Sequence, residues 1–280
     1  MERRVLGRTG EELSVLGLGG VVVDSLEQSE ADRIVAEAVD RGINYFDVAP
    51  RYGNAEERLG PALAPYRDKV FLACKTAERA RENAEWQLDS SLRRLQTDHF
   101  DLYQMHALEP DDVELVFRPG GAMEALVAAK EAGRVRFLGF SSHSVQAALA
   151  AMQQFHFDTV LFPINFPSWL GGVGPQVLEA ARANDMGRLA LKAIARGPWP
   201  KDFTRNWPKL WYQPLEDPRW MELALRFTLS QDVTATVGPG EPELFKQVLS
   251  FAERFKPLQE NEYKLLRAYA TSLTPLFTPC

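Results

Sequence analysis

Cysteine is nearly absent: Cys74 and Cys280 are the only two in 280 residues, and neither lies in a C-x-x-C or Cys/His ligand spacing. A disulfide framework and a structural zinc site are therefore not expected, and a reducing cytoplasm is the default compartment. No basic run or stripe is present either. The 32 Lys plus Arg against 38 Asp plus Glu leave a formal net charge of -6, so nucleic acid is not an expected partner. Long uninterrupted apolar runs are also lacking. Residues 13–23 have the length of a signal-peptide core, but Glu11 and Glu12 abut them, glycines interrupt them and no A-x-A site follows, so they read as a buried strand. The uncharged stretch 159–178 carries Pro163, Pro167 and Pro175 and reads as strand plus loop, not as a membrane helix. Finally, no G-x-G-x-x-G follows the first apolar run. Gly17-Leu18-Gly19-Gly20 continues into Val21-Val22-Val23 instead of a helix start, so the dinucleotide-binding fingerprint of a doubly wound sheet is missing.

What is present is an ordinary globular composition, 45% hydrophobic and 25% charged, with 19 Gly and 18 Pro spread along the chain. Short runs rich in β-formers alternate with segments at helical spacing, which predicts βα units around a parallel sheet. Strands are expected at 15–18, 43–46, 70–74, 100–105, 135–140, 159–163, 188–191 and 233–237. Helices are expected at about 29–41, 54–64, 82–96, 120–132, 144–154, 174–186, 217–230 and 242–253. Ser29 is the expected N-cap of the first helix, and Gly42 and Gly133 are expected to close two others. Eight repeats without a linker predict a single (β/α)8 TIM barrel over residues 1–280. A hairpin around Gly7-Arg8-Thr9-Gly10 is expected to cover one end, with an extra helix at 261–270 and a tail after it. Between Arg196 and Pro218 stand Trp199, Trp207, Trp211 and Tyr212 among four prolines; this segment is expected to be a lid or pocket wall, the alternative being a static cover.

In such a barrel the productive residues stand at the C-terminal ends of the strands. Asp47, Lys75 and His106 end three apolar runs, and Tyr52 follows Asp47 in a Pro/Gly loop. A buried lysine beside a phenol favours the phenolate, so Lys75 is expected to lower the Tyr52 pKa from about 10 toward the range of a general acid. Asp47 would hold Lys75 charged and oriented. His106 could fix a carbonyl oxygen while another group supplies a hydride or a nucleophile. Each has a plainer reading: a turn or cap for Asp47, packing for Tyr52, a satisfied core imidazole for His106. Lys75 is the hardest to explain structurally, because an unpaired buried ammonium is strongly unfavourable.

At these residues the chain resembles the aldo-keto reductases. The motifs, in family order, are Arg4-Val-Leu-Gly-Arg-Thr-Gly10, Leu16-Gly-Leu-Gly19, Gly42-Ile-Asn-Tyr-Phe-Asp47 with Tyr52-Gly53, Asp101-Leu-Tyr-Gln-Met-His106 and Gly133-Arg-Val-Arg-Phe-Leu-Gly-Phe-Ser141. The resemblance covers about residues 3 to 250. It implies a nicotinamide cofactor, NADP or NAD, a small carbonyl substrate, and Asp47, Tyr52, Lys75 and His106 as a catalytic tetrad with Tyr52 as proton donor. For the cofactor it implies Asp47 and Gly20, Ser141 and Ser142 at the nicotinamide amide, Lys192 and Arg196 at the pyrophosphate, and Gly238 and Gly240 where the backbone approaches the phosphates. Trp169 and Trp199, with Tyr52 and His106, are expected at the substrate. Leu161 and Leu191 stand where a glutamine and a stacking aromatic ring are usual. Glu241 stands where a cation usually grips a 2′-phosphate, so NADH is expected to bind at least as well as NADPH; the plainer reading is a helix cap. Two other functions remain open: a nicotinamide-binding regulatory or redox-sensing subunit with little turnover, and a Schiff-base aldolase built on Lys75.

Overall fold

Buried strands of a parallel sheet read as continuous apolar runs because helices cover their outer face, and here those runs close on themselves. The computed structural model describes residues 1–279; Cys280 lies outside the described residues. The chain runs β1 (Arg3–Val5), β2 (Glu12–Ser14), β3 (Leu16–Gly19), α1 (Gln28–Asp40), β4 (Tyr45–Asp47), α2 (Ala55–Leu63), β5 (Phe71–Thr76) and α3 (Arg81–Arg94). It continues through β6 (Phe100–Leu108), α4 (Pro110–Phe117), α5 (Ala122–Glu131), β7 (Val135–Ser142), α6 (Val145–Gln154), β8 (Thr159–Pro163), α7 (Phe166–Leu170) and α8 (Pro175–Ala183). Last come β9 (Gly187–Leu191), β10 (Ala195–Pro198), β11 (Tyr212–Pro214), α9 (Pro218–Leu229), β12 (Ala235–Val237), α10 (Pro242–Glu253) and α11 (Glu260–Ala270). Strands β3 to β9 and β12 form the closed parallel barrel, β12 pairing back onto β3 through Thr236 and Leu16. This is the expected (β/α)8 architecture.

Several local expectations change. Helix α1 begins one residue early, with Glu27 at the N-cap and Ser29 inside the first turn; the Gln28 amide reaches the Arg58 carbonyl at 3.0 Å and draws that residue into the helix. Gly42 and Gly133 do close α1 and α5 in the left-handed region, at φ 91° and 73°. Each carries the paired 6→1 and 5→2 bonds of a Schellman end, such as Ile43 N to Ala38 O at 3.0 Å. The stretch after β8 is not a loop: Asn165 caps the short α7, with Pro167 in its first turn. Helix α4 was not expected; Pro110 at its first position and a reciprocal Glu109/Asp112 capping box start it. In residues 13–23 the strand ends at Gly19 and a 3-10 turn, Gly20–Val23, follows. No helix among the described residues is long and apolar enough to cross a membrane.

The N-terminal hairpin determines which end of the barrel is open. β1 and β2 pair antiparallel, and Leu6 and Leu13, both fully buried, join Tyr45, Phe71, Leu102 and Leu189 in the barrel interior. The Arg4 guanidinium pins the hairpin to the carbonyls of Leu229 and Val233 at 2.9 and 2.8 Å. The segment after β9 is likewise not structureless. β10 and β11 pair antiparallel into an arm that carries the aromatic residues toward the opposite, C-terminal mouth. Leu13→Ala should cost about 2–5 kcal/mol of unfolding free energy in urea titrations, whereas Val5→Ala, at a position 54% exposed, should stay within about 0.5 kcal/mol.

Candidate active site at the open end of the barrel

Neighbouring strands β4 and β5, in register at Asp47 and Ala73, place Asp47 and Lys75 side by side beneath the mouth. They form an ion pair that is 2% and 1% exposed. Asp47 Oδ1 accepts from Lys75, while Oδ2 accepts from the Gln104 amide at 3.1 Å and the Tyr45 hydroxyl at 3.3 Å. Lys75 Nζ also donates to the Val48 carbonyl at 3.3 Å and to the Tyr52 hydroxyl at 3.4 Å. Burial works against its ammonium, but Asp47 and Tyr52 outweigh it and hold the Lys75 pKa above its usual value.

The expected lowering of the Tyr52 pKa is not found. Burial dominates and raises it above 10; Lys75 pulls it down, but Asp47 pushes it up again, because a paired lysine presents little net charge to the phenol. The His106 ring meets Tyr52 edge-on, centroids 5.7 Å apart. Burial, followed by Lys75 and Arg51, pushes its pKa down to about 2, so the imidazole is neutral. Its Nδ1 is buried without a hydrogen-bond partner.

Above these groups lies a cavity of about 410 Å³. Asp47, Tyr52, Lys192, Gly238 and Gly240 line it, together with Leu161 and Leu191; Lys75 lies beneath. Other anticipated residues are engaged elsewhere. Gly20 faces Val48, which a side chain there would strike. Ser141 Oγ accepts from the Ala107 N–H at 2.8 Å, and the Ser142 hydroxyl donates to the Leu108 carbonyl at 2.7 Å and accepts from the Ser144 N–H at 3.0 Å. Arg196 donates to Gln213 across the arm at 2.6 Å. Glu241 makes no side-chain cap; it accepts from the Lys209 N–H at 2.7 Å. Trp169 packs on Phe227 with centroids 6.2 Å apart, and Trp199 stacks on Phe203 and donates to the Leu210 carbonyl at 2.9 Å.

Sequence reasoning missed Gln104, Tyr45, His143 and Lys209. Strand alternation could have found the first, since Gln104 shares a face of β6 with His106. No local pattern announces Lys209, whose ammonium bridges the Val22 and Asp24 carbonyls at 3.2 and 2.7 Å. Lys192 is held in the left-handed region at φ 63°. Its Nζ lies 2.7 Å from His143 Nε2 and 4.8 Å from the Trp211 ring centre, and it forms no ion pair among the described residues. An apolar wall of Leu161 and Leu191, a side-chain-free rim at Gly238 and Gly240, and an unpaired amine suit a flat ring joined to phosphates.

The Aldo/keto reductase family model matches residues 15–270. An aldo-keto reductase of Bacillus subtilis, YhdN, is 31% identical over 218 residues, 70% of this chain and 63% of that protein. An L-glyceraldehyde 3-phosphate reductase of Escherichia coli O157:H7 is 27% identical over 225 residues, 70% of this chain and 62% of that one. The chain thus spans less than two thirds of the length of these curated relatives. The aldo-keto reductase AKR11C1 of Bacillus halodurans, in its holo form, superposes with a TM-score of 0.75 at 24% identity, covering 99% and 98% of the two chains, and shares the fold.

Burial of His106, and burial with the neighbouring Lys192 at His143, push these imidazoles down to about 2 and about 3. The unfolded chain takes up their protons near pH 6.5 while the folded chain does not, so stability is complete above about pH 6.5 and falls as pH drops toward the folded values. Urea midpoints should therefore decrease between pH 7 and pH 5, and decrease less steeply in His143→Gln.

Proposed function

The chain belongs to the aldo/keto reductase family, and we propose that it is an oxidoreductase reducing an aldehyde or ketone to an alcohol, with Tyr52 as the proton donor. The observation that carries this reading is the Lys75 ammonium held by Asp47 within 3.4 Å of the Tyr52 hydroxyl, beneath a cavity of suitable size. When bound, the nicotinamide cofactor, NADH or NADPH, supplies the hydride. Leu161 and Leu191 would form the apolar wall for its ring, Gly238 and Gly240 would let its phosphates approach the backbone, and the Lys192 amine, held below its usual pKa by burial, would face them and gain a proton in their field.

The proton is this chain's own contribution. With its pKa above 10, Tyr52 is protonated at neutral pH and so acts as an acid toward a carbonyl oxygen. Loss of that proton leaves a phenolate, which the adjacent Lys75 stabilises by charge and hydrogen bond. Asp47 keeps Lys75 charged and aimed. Neutral His106, edge-on to Tyr52, would donate a hydrogen bond to the carbonyl oxygen while keeping its own proton, which supports Tyr52 as the acid.

Tyr52→Phe should lower kcat/KM for aldehyde reduction by about 100-fold or more and leave cofactor Kd within about twofold, read by tryptophan fluorescence. Undiminished turnover in the variant would remove Tyr52 from the role. Tight cofactor binding by the wild type without turnover on any aldehyde or ketone would favour the regulatory-subunit reading.

A further inference from the structure

We infer that the substrate carries an anionic group, a carboxylate or a phosphate, a few bonds from its carbonyl carbon, and that Arg51 binds it; this rests on Tyr52 being the proton donor. The inference comes from sorting the charges that line the cavity. Its basic side chains are Arg51, Lys209 and Lys192, the last held well below its usual pKa by burial and by Lys75, and its acids are Asp24 and Asp47. Asp47 is saturated by Lys75, Gln104 and Tyr45. Asp24 accepts from the Asn54 N–H at 3.1 Å. Among the described residues Asp24 keeps its second oxygen free and lies beside Lys209, whose ammonium donates to its backbone carbonyl, so neither wall carboxylate is paired with Arg51.

Among the basic side chains, Lys209 is committed to the Val22 and Asp24 carbonyls. Lys192 follows β9 and Leu191, across the barrel from β4. Arg51 alone adjoins Tyr52. It is exposed on the cavity rim, and its guanidinium makes no ion pair or hydrogen bond among the described residues. The other cations near His106 are neutralised: Lys75 by Asp47, and Arg79 by Asp112 at 2.8 Å. Arg51 is not, and its positive field reaches the reacting centre, where it helps to keep His106 neutral.

A guanidinium is a planar fork of donors that matches a carboxylate or phosphate with two parallel hydrogen bonds. Beside the proton donor, it would fix the far end of a substrate whose carbonyl oxygen lies against Tyr52 and His106. Such an interaction exists in ground and transition states alike, so it acts mainly on KM.

The test compares 4-carboxybenzaldehyde with methyl 4-formylbenzoate, which share the aldehyde and ring and differ in charge, on wild type, Arg51→Gln and Arg51→Lys. The wild type should favour the acid about tenfold or more through KM. Arg51→Gln should raise KM for the acid about tenfold while affecting the ester much less, and Arg51→Lys should restore part of the preference. Equal kcat/KM for acid and ester in the wild type, or equal losses on both in Arg51→Gln, would overturn the inference. A readout without turnover separates it from the catalytic reading: terephthalate and phenyl phosphate, neither reducible, should quench tryptophan fluorescence, the tighter of the two identifying the anion. Either signal weakened about tenfold in Arg51→Gln supports the anion site even if no aldehyde is reduced, whereas neutral aldehydes reduced with no Arg51-dependent anion binding would leave the reductase and refute the site.

Discussion

The open end of the barrel is organised around one buried ion pair, Lys75 with Asp47. Two charges almost wholly removed from water cost several kcal/mol each in desolvation, and their attraction offsets this only where the remaining hydrogen-bonding capacity is met. That condition accounts for the surrounding residues. Tyr45 and Gln104 supply neutral donors to the second carboxylate oxygen, and the Val48 carbonyl takes another ammonium proton. The remaining direction of the ammonium points at Tyr52. The pair therefore anchors Tyr52, and the hydrophobic floor made by Leu6 and Leu13 keeps water from reaching it from below.

The barrel was legible because buried parallel strands appear as apolar runs and the helices between them carry a 3.6-residue period. What local pattern did not show was decided by contacts far apart in sequence. The start of α1 moved with a Gln28–Arg58 bond, α4 and α7 were too short for periodicity to reveal, and the aromatic arm owes its two strands to pairing across a 13-residue gap. The catalytic candidates stood out as polar residues at the ends of apolar strands. The sign of the Tyr52 shift did not, since it depends on burial and on Asp47 neutralising Lys75, and neither is visible in one dimension. Gln104 was readable in principle, one alternate position from His106.

The cavity walls divide along the same line. On the side of β8 and β9 the lining is apolar at Leu161 and Leu191, and the hydroxyls of Ser141 and Ser142 are bound to backbone groups of the β6 end. The polar groups that remain in the lining include the glycine backbone after β12, the Lys192 amine beside His143, and Arg51 at the rim. Glu241 and Lys209 tie the arm to the head of α10 and to the turn after β3, so the arm forms part of the cavity wall.

The central claim is that Lys75, held by Asp47, lowers the proton affinity of Tyr52 against the larger effect of burial. It is tested most directly by titrating Tyr52 through a 13Cζ tyrosine label in wild type and Lys75→Met. The account predicts a wild-type pKa raised above the usual tyrosine value and a higher one in the variant, because a buried phenolate then loses the ammonium that donates to it. A Tyr52 pKa that does not move when Lys75 is replaced would contradict it.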